Sequence, residues 1–236
     1  MTDRARAAKF ITFEGGEGAG KSTQVRLLVE KLGAEGITAI ATREPGGSPG
    51  AEKIREAVLS GAVRKFGVEA EAMMFSAARV DHLDHTIRPA LAKGTWVVCD
   101  RFADSTRAYQ GAQGAVDPHL IAALERVAVG PTRPDLTLIL DIAPETGLAR
   151  AAARRPEGAA ADRFEGEALE FHRGLRRAFL DIAEQEPKRC AVIDAALSVE
   201  EIAARVWSTV RVRLLDKPRR RKPKPAEAPR PGARAP

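Results

Sequence analysis

The sequence holds only two cysteines, one tyrosine and two tryptophans, and aromatic residues make up 5% of its 236 positions. Cys99 and Cys190 both fall in strand-like runs, WVVCD and RCAVID. Two thiols make neither a disulfide framework nor a zinc site, so they read as small buried side chains. No apolar run approaches the roughly 18–20 residues that a membrane span needs. The N-terminal MTDRARAAK enters FITF without the apolar stretch of a signal peptide. These absences predict a soluble cytoplasmic protein with no membrane contact. Scarce aromatics also remove the interleaving of aromatic and basic side chains that nucleic-acid surfaces use.

Charge of one sign is scarce too, once the chain is divided. The formal net charge is +6, yet residues 217–236 (KPRRRKPKPAEAPRPGARAP) hold eight Lys/Arg and one Glu, so residues 1–216 sum to −1. A nucleic-acid partner is therefore not expected for the body, and the purpose of the tail stays open. With six prolines in twenty residues and no apolar period, the tail is expected to be disordered. At 44% hydrophobic and 30% charged overall, the remainder can bury one substantial core. The expected organisation is a flexible segment 1–8, a domain over 9–214 and a basic tail over 215–236.

What the body has is regular alternation. Short apolar, β-branched runs at 9–13, 37–42, 95–100, 136–142 and 189–194 read as five buried parallel strands. Helical patterns near 22–33, 51–59, 68–93, 117–129, 145–154 and 166–186 separate them. A last helix starts at Ser198, where Ser-Val-Glu-Glu forms a capping box. The pattern predicts an α/β fold, a parallel sheet with helices on both faces. Residues 154–163, RRPEGAAADR, read as a mobile surface loop between helices.

After the first strand comes Gly15-Gly16-Glu17-Gly18-Ala19-Gly20-Lys21-Ser22-Thr23, which matches G-x-x-x-x-G-K-[ST] between a strand and a helix. Backbone N–H groups of such a loop, with the positive helix N-terminus, cradle phosphates. Lys21 would reach the β- and γ-phosphates and Ser22 would ligate Mg²⁺. The motif implies a nucleoside triphosphate site, and a P-loop fold. At the end of the third strand, Asp100 would face that Mg²⁺, directly or through water. Arg101 would offer a planar fork to phosphate. Asp141, ending the fourth strand, is a rival carboxylate.

Five segments, FEGGEGAGKST, TREPGGSPGAEKIR, MMFSAARVDHL, DRFADSTRAYQG and RPDLTLILDIAPETGLAR, occur in this order. Together they resemble the thymidylate kinases of bacteria, over about residues 10 to 207. The resemblance implies a nucleoside monophosphate kinase-like fold, five parallel strands and a small lid at about 150–163. The implied activity is transfer of phosphate from ATP to dTMP, with Mg²⁺, in a homodimer. Phe75, which alone reads as a core residue, then matches the ring stacked on thymine, and Arg79 the donor to a base carbonyl. Arg101 matches the holder of the acceptor phosphate, with Arg43 and Arg55 as further candidates. Thr106 and Gln110 match positions near the base edge, with Ser105 behind them. Tyr109 matches the ring that crowds the sugar, and Glu17 the acceptor for its 3′-OH. Some relatives carry a catalytic arginine in the phosphate loop, others in the lid. Here the loop position is Gly18, whereas Arg150, Arg154, Arg155 and Arg163 cluster near the lid. Arg154 is the first choice and Arg150 the second. Two alternatives are a deoxynucleoside kinase, with Asp100 or Glu44 as base, and a nucleic-acid-binding P-loop ATPase.

Overall fold

The computed structural model describes residues 7–113, 116–154 and 164–216. The expected N-terminal segment falls largely, and the basic tail almost wholly, outside them, as do Arg155 and Arg163.

Five strands form one parallel sheet: β1 (Phe10–Glu14), β2 (Ala39–Arg43), β3 (Trp96–Asp100), β4 (Leu136–Asp141) and β5 (Cys190–Asp194), in the order β2-β3-β1-β4-β5. Each expected strand is present within two residues at either end. Continuous burial holds for the inner strands β1, β3 and β4 and lapses in β2 and β5, which are the sheet's edges. Helix α1 (Lys21–Ala34) and helix α9 (Val199–Val210) cover one face, packing Leu28, Leu32, Ile202 and Val206 on Ile11, Phe13, Val98 and Leu138. The opposite face carries α8 (Leu169–Gln185), whose Leu175 and Phe179 meet Ile139, while Leu83 and Ile87 meet Phe10 and Val97. Alternate residues of one strand thus feed two separate cores. Cys99 and Cys190 are buried free thiols.

The predicted capping box forms: Ser198 Oγ accepts from Glu201 N, and Glu201 Oε2 accepts from Ser198 N at 3.0 Å. Two expectations need correction. The helix expected over 68–93 is α3 (Val68–His82), a π-helical turn over Leu83–Ile87 and α4 (Arg88–Ala92). Pro89 has no N–H for the carbonyl four residues back, so an unbroken ladder is unavailable there. A helical stretch that periodicity did not reveal follows β3, as α5 (Ala103–Thr106) and a π-helical run Arg107–Gln113. It is anchored by Asp104, whose two oxygens accept from the Arg189 fork at 2.6 and 3.0 Å. The remaining α-helices are α2 (Pro49–Leu59), α6 (Pro118–Ala128) and α7 (Pro144–Arg154).

From β1 the chain goes first to one side of the sheet and later to the other. The change of direction lies at the carboxyl end of β1, where α/β sheets open a crevice for ligands.

Candidate active site

That crevice is a cleft of about 250 Å³, bounded on one side by the phosphate loop and on the other by α3 and the helical run after β3. It is lined by Glu17, Gly18, Gly20, Lys21 and Ser22 from the loop. Asp100 and Arg101 line it from the end of β3, and Phe75 and Arg79 from α3. Four of the five motifs quoted above, scattered over some 100 residues, therefore converge, while the fifth, at 133–150, does not line the cleft.

Lys21 begins α1 and is 7% exposed, its Nζ donating to the carbonyls of Gly15 at 3.0 Å and Gly16 at 2.8 Å. Burial and the neighbouring Arg101 pull its ammonium down to about 8, despite Glu17 and Asp100 nearby. Anionic phosphates in the loop would restore it. Ser22 Oγ donates to Asp100 Oδ2 at 2.5 Å. An alcohol and a carboxylate, both hard oxygen donors, already stand together at the loop's end, and this pair suits Mg²⁺. Ala19 is packed in the core, and Ala19 and Thr23 do not line the cleft.

Arg101 adopts φ +69°, the only non-glycine residue with positive φ among the described residues. Such a conformation costs of order 1–3 kcal/mol and persists where the surroundings hold it. Here Arg101 N donates to Phe13 O at 2.8 Å, and the next amide, Phe102 N, donates to Glu14 Oε1 at 2.8 Å. The turn aims the guanidinium back over the phosphate loop. Nη2 donates to Glu17 Oε1 at 2.6 Å and Nη1 to Gly15 O at 3.2 Å. Tyr109 donates its OH to the same Glu17 oxygen at 2.8 Å, and the Arg101 guanidinium lies 5.1 Å from the Tyr109 ring centroid. Burial pushes the Glu17 carboxyl up, but Arg101, Lys21 and the Tyr109 hydroxyl outweigh it and hold it at about 2.

Further along the cleft, Arg79 is 3% exposed and donates Nε to Glu44 Oε2 at 2.8 Å and Nη2 to Thr106 Oγ1 at 3.0 Å. Phe75 is half-buried beside it, one helical turn earlier. Gln110 and Ser105 complete that wall, with Ser105 Oγ donating to Glu14 Oε2 at 2.6 Å. Arg43 and Arg55 also reach the cleft, Arg43 already paired with Glu52 and Arg55 donating to Pro45 O at 2.7 Å.

The two lid candidates separate. Arg154, at the end of α7, lines the cleft and is exposed. Arg150 does not line it and instead donates to Ala195 O at 2.8 Å. A side chain at position 18 is sterically excluded, because a Cβ there would lie 1.8 Å from the carbonyl oxygen of Gly147, on α7. Asp141, the rival carboxylate, is gripped by the Arg176 fork at 2.6 and 2.8 Å, behind the loop.

Buried carboxyls escaped the sequence reading at Glu14 and Glu71, and Glu44 was read there only as a candidate base. Glu14 ends β1 with no exposure, Glu71 faces Gln110, and Glu44 sits between Arg79 and His82 Nδ1. Burial, then Asp104, raise the Glu14 carboxyl from 4.5 to about 8. The one available signal was a glutamate ending a fully buried strand of mostly apolar residues, FITFE, which sequence periodicity treats as exposed.

Comparison with known proteins identifies the family. The family model described as thymidylate kinase matches residues 13–206. A thymidylate kinase of Rhodopseudomonas palustris strain TIE-1 is 58% identical over 215 residues, covering 91% of this chain and 93% of the relative. One from Bradyrhizobium diazoefficiens is 58% identical over 210 residues, covering 89% and 92%. The crystal structure of thymidylate kinase from Ehrlichia chaffeensis superposes with a TM-score of 0.69 at 31% identity, covering 86% of this chain and 99% of that one. With a family model matching residues 13–206 and relatives 58% identical over about nine-tenths of its length, the chain belongs to the thymidylate kinase family.

Proposed function

We propose that this protein transfers the γ-phosphoryl group of ATP to dTMP, giving dTDP and ADP. The observation that carries this reading is Arg101. It stands between the phosphate loop and the Phe75–Arg79 recess, where an acceptor phosphate joins the two halves of the cleft.

A phosphate oxygen is already an anionic nucleophile, so the reaction needs alignment and cancellation of charge and no strong base. The loop amides and Lys21 bind the donor phosphates, Lys21 exchanging its two carbonyl partners for phosphate oxygens. Ser22 and Asp100 would hold Mg²⁺, which would neutralise the crowded phosphate charge when bound. Arg101 holds the acceptor phosphate. Its contacts to the neutral Gly15 O and Ser105 Oγ, at 3.2 and 3.4 Å, are long enough to yield to an anion, while the short one to Glu17 fixes its direction. Glu17, kept ionised, accepts from the sugar 3′-OH, and Tyr109 crowds the 2′ position. Phe75 stacks on the base, Arg79 donates to a base carbonyl, and Thr106 and Gln110 line the base edge. Arg43 and Arg55 add positive charge for the acceptor. Arg154 is the lid arginine that meets the charge developing in the transition state.

A thymidine kinase reading lacks its base. Glu44 is engaged by Arg79 and His82, and Asp100 by Ser22. We also propose a homodimer, through α3 and α6. Met73 and Val80, seven residues apart on α3, and Val127 on α6 are exposed apolar side chains at 48%, 37% and 80%. Among the described residues no helix is long and apolar enough to cross a membrane, and we place the enzyme in the cytoplasm. A coupled assay of ADP release tests the function: dTMP supports turnover and thymidine does not. Turnover with thymidine alone refutes it.

A further inference from the structure

Behind the base recess lies Glu71, in the first turn of α3 and 2% exposed. It accepts from Gln110 Nε2 at 2.8 Å, and Gln110 is itself 3% exposed, with its side chain bordering the cleft. Ionised, Glu71 offers only acceptor oxygens, so the end of the amide that faces it is the NH₂, as the contact from Gln110 Nε2 has it. The Gln110 carbonyl is then the end available to the cleft. This polarity follows from the chemistry of the pair, independent of how the amide atoms are placed.

Arg79 has a polarity that cannot be reversed at all, because a guanidinium only donates. Its Nε is taken by Glu44, and its Nη2 by Thr106 Oγ1 and Phe102 O. The wall of the recess therefore offers a fixed acceptor at Gln110 and a fixed donor at Arg79. A 4-oxopyrimidine presents the complement, an N3–H donor beside an O4 acceptor. A 4-aminopyrimidine presents the reverse, an N3 acceptor beside an amino donor.

We propose that Glu71 is a specificity-determining positioning residue, which locks the Gln110 amide with its carbonyl toward the base and so excludes 4-aminopyrimidine nucleotides such as dCMP. The inference rests on the assignment of dTMP as acceptor. Without a carboxylate at 71, the terminal amide torsion of Gln110 has two roughly equivalent orientations. One of them puts an N–H against cytosine N3.

Glu71→Gln tests this, because it keeps the shape and replaces the acceptor-only group with one that pairs with either end of Gln110. The ratio of kcat/KM for dTMP to that for dCMP is measured in the wild type and the variant, with thermal unfolding alongside. The expected result is a fall in the ratio of about tenfold or more, the scale of one hydrogen bond of discrimination, with little change in Tm. Gln110→Met, which removes the oriented amide, is expected to lower the ratio similarly. It also serves if the first variant fails to fold. Equal losses toward both nucleotides, leaving the ratio intact in either variant, overturn the role of Glu71. A wild-type enzyme that does not turn over dTMP overturns the acceptor assignment itself.

Discussion

Replacing Glu14 with glutamine isolates a buried proton. The glutamine keeps both hydrogen bonds, its carbonyl accepting from Phe102 N and its amide donating to Ser105 Oγ, where the carboxyl now accepts from each. What it removes is ionisation. Burial, with Asp104 adding to it and Ser105, Arg101 and Phe102 opposing it, raises the folded-state value from 4.5 to about 8. At roughly 1.4 kcal/mol per pH unit, that difference is worth about 5 kcal/mol. The sign follows from proton counts. Below about pH 4.5 both states hold the proton and there is no effect. Between 4.5 and 8 the unfolded chain has released it and the folded chain has not, so wild-type stability falls as pH rises. Above about 8 both have released it and the loss levels off. Urea unfolding of wild type and Glu14→Gln from pH 5 to 9, taken as a difference, cancels the titrating groups that do not interact with Glu14. The variant is expected to gain several kcal/mol on the wild type across this window. A difference independent of pH refutes the claim that Glu14 is held protonated beside the Arg101 turn.

Arg154→Ala is expected to lower kcat by at least ~10²-fold with the KM for dTMP little changed, scaling from arginine-finger losses. Arg150→Ala is expected to have a small effect, since its guanidinium is spent on Ala195 O. The opposite pattern in steady-state kinetics transfers the role to Arg150. Met73→Asp places a charge on the apolar stripe of α3 and is expected to shift sedimentation toward the monomer mass. An unchanged dimer places the interface elsewhere.

The sheet was legible because each strand is a short, mostly apolar run ended by Gly, Pro or a charged residue, and in β1, β3 and β4 burial on both faces leaves no competing pattern. The phosphate loop was legible because its chemistry is local, nine consecutive residues. Arg101 was also legible, as a charged pair ending an apolar strand, but its left-handed turn was not, since it depends on Phe13 and Glu14 from another strand. The same reason hid the burial and pairing of Glu44 and Glu71. Their partners, Arg79 and Gln110, lie 35 and 39 positions away, and a glutamate in a helix or loop reads as solvated until its partner is known. The helical stretch after β3 was missed because it is held by Asp104 pairing with Arg189, a contact across 85 positions, and not by apolar periodicity.

Stoichiometric ³¹P NMR of the enzyme with ATP, Mg²⁺ and dTMP is the most direct test of the central claim. The account predicts that one dTDP appears for each ADP, and that ATP is stable when dTMP is left out or replaced by thymidine. ADP and free phosphate without dTDP, or phosphorylation of thymidine in place of dTMP, would contradict it.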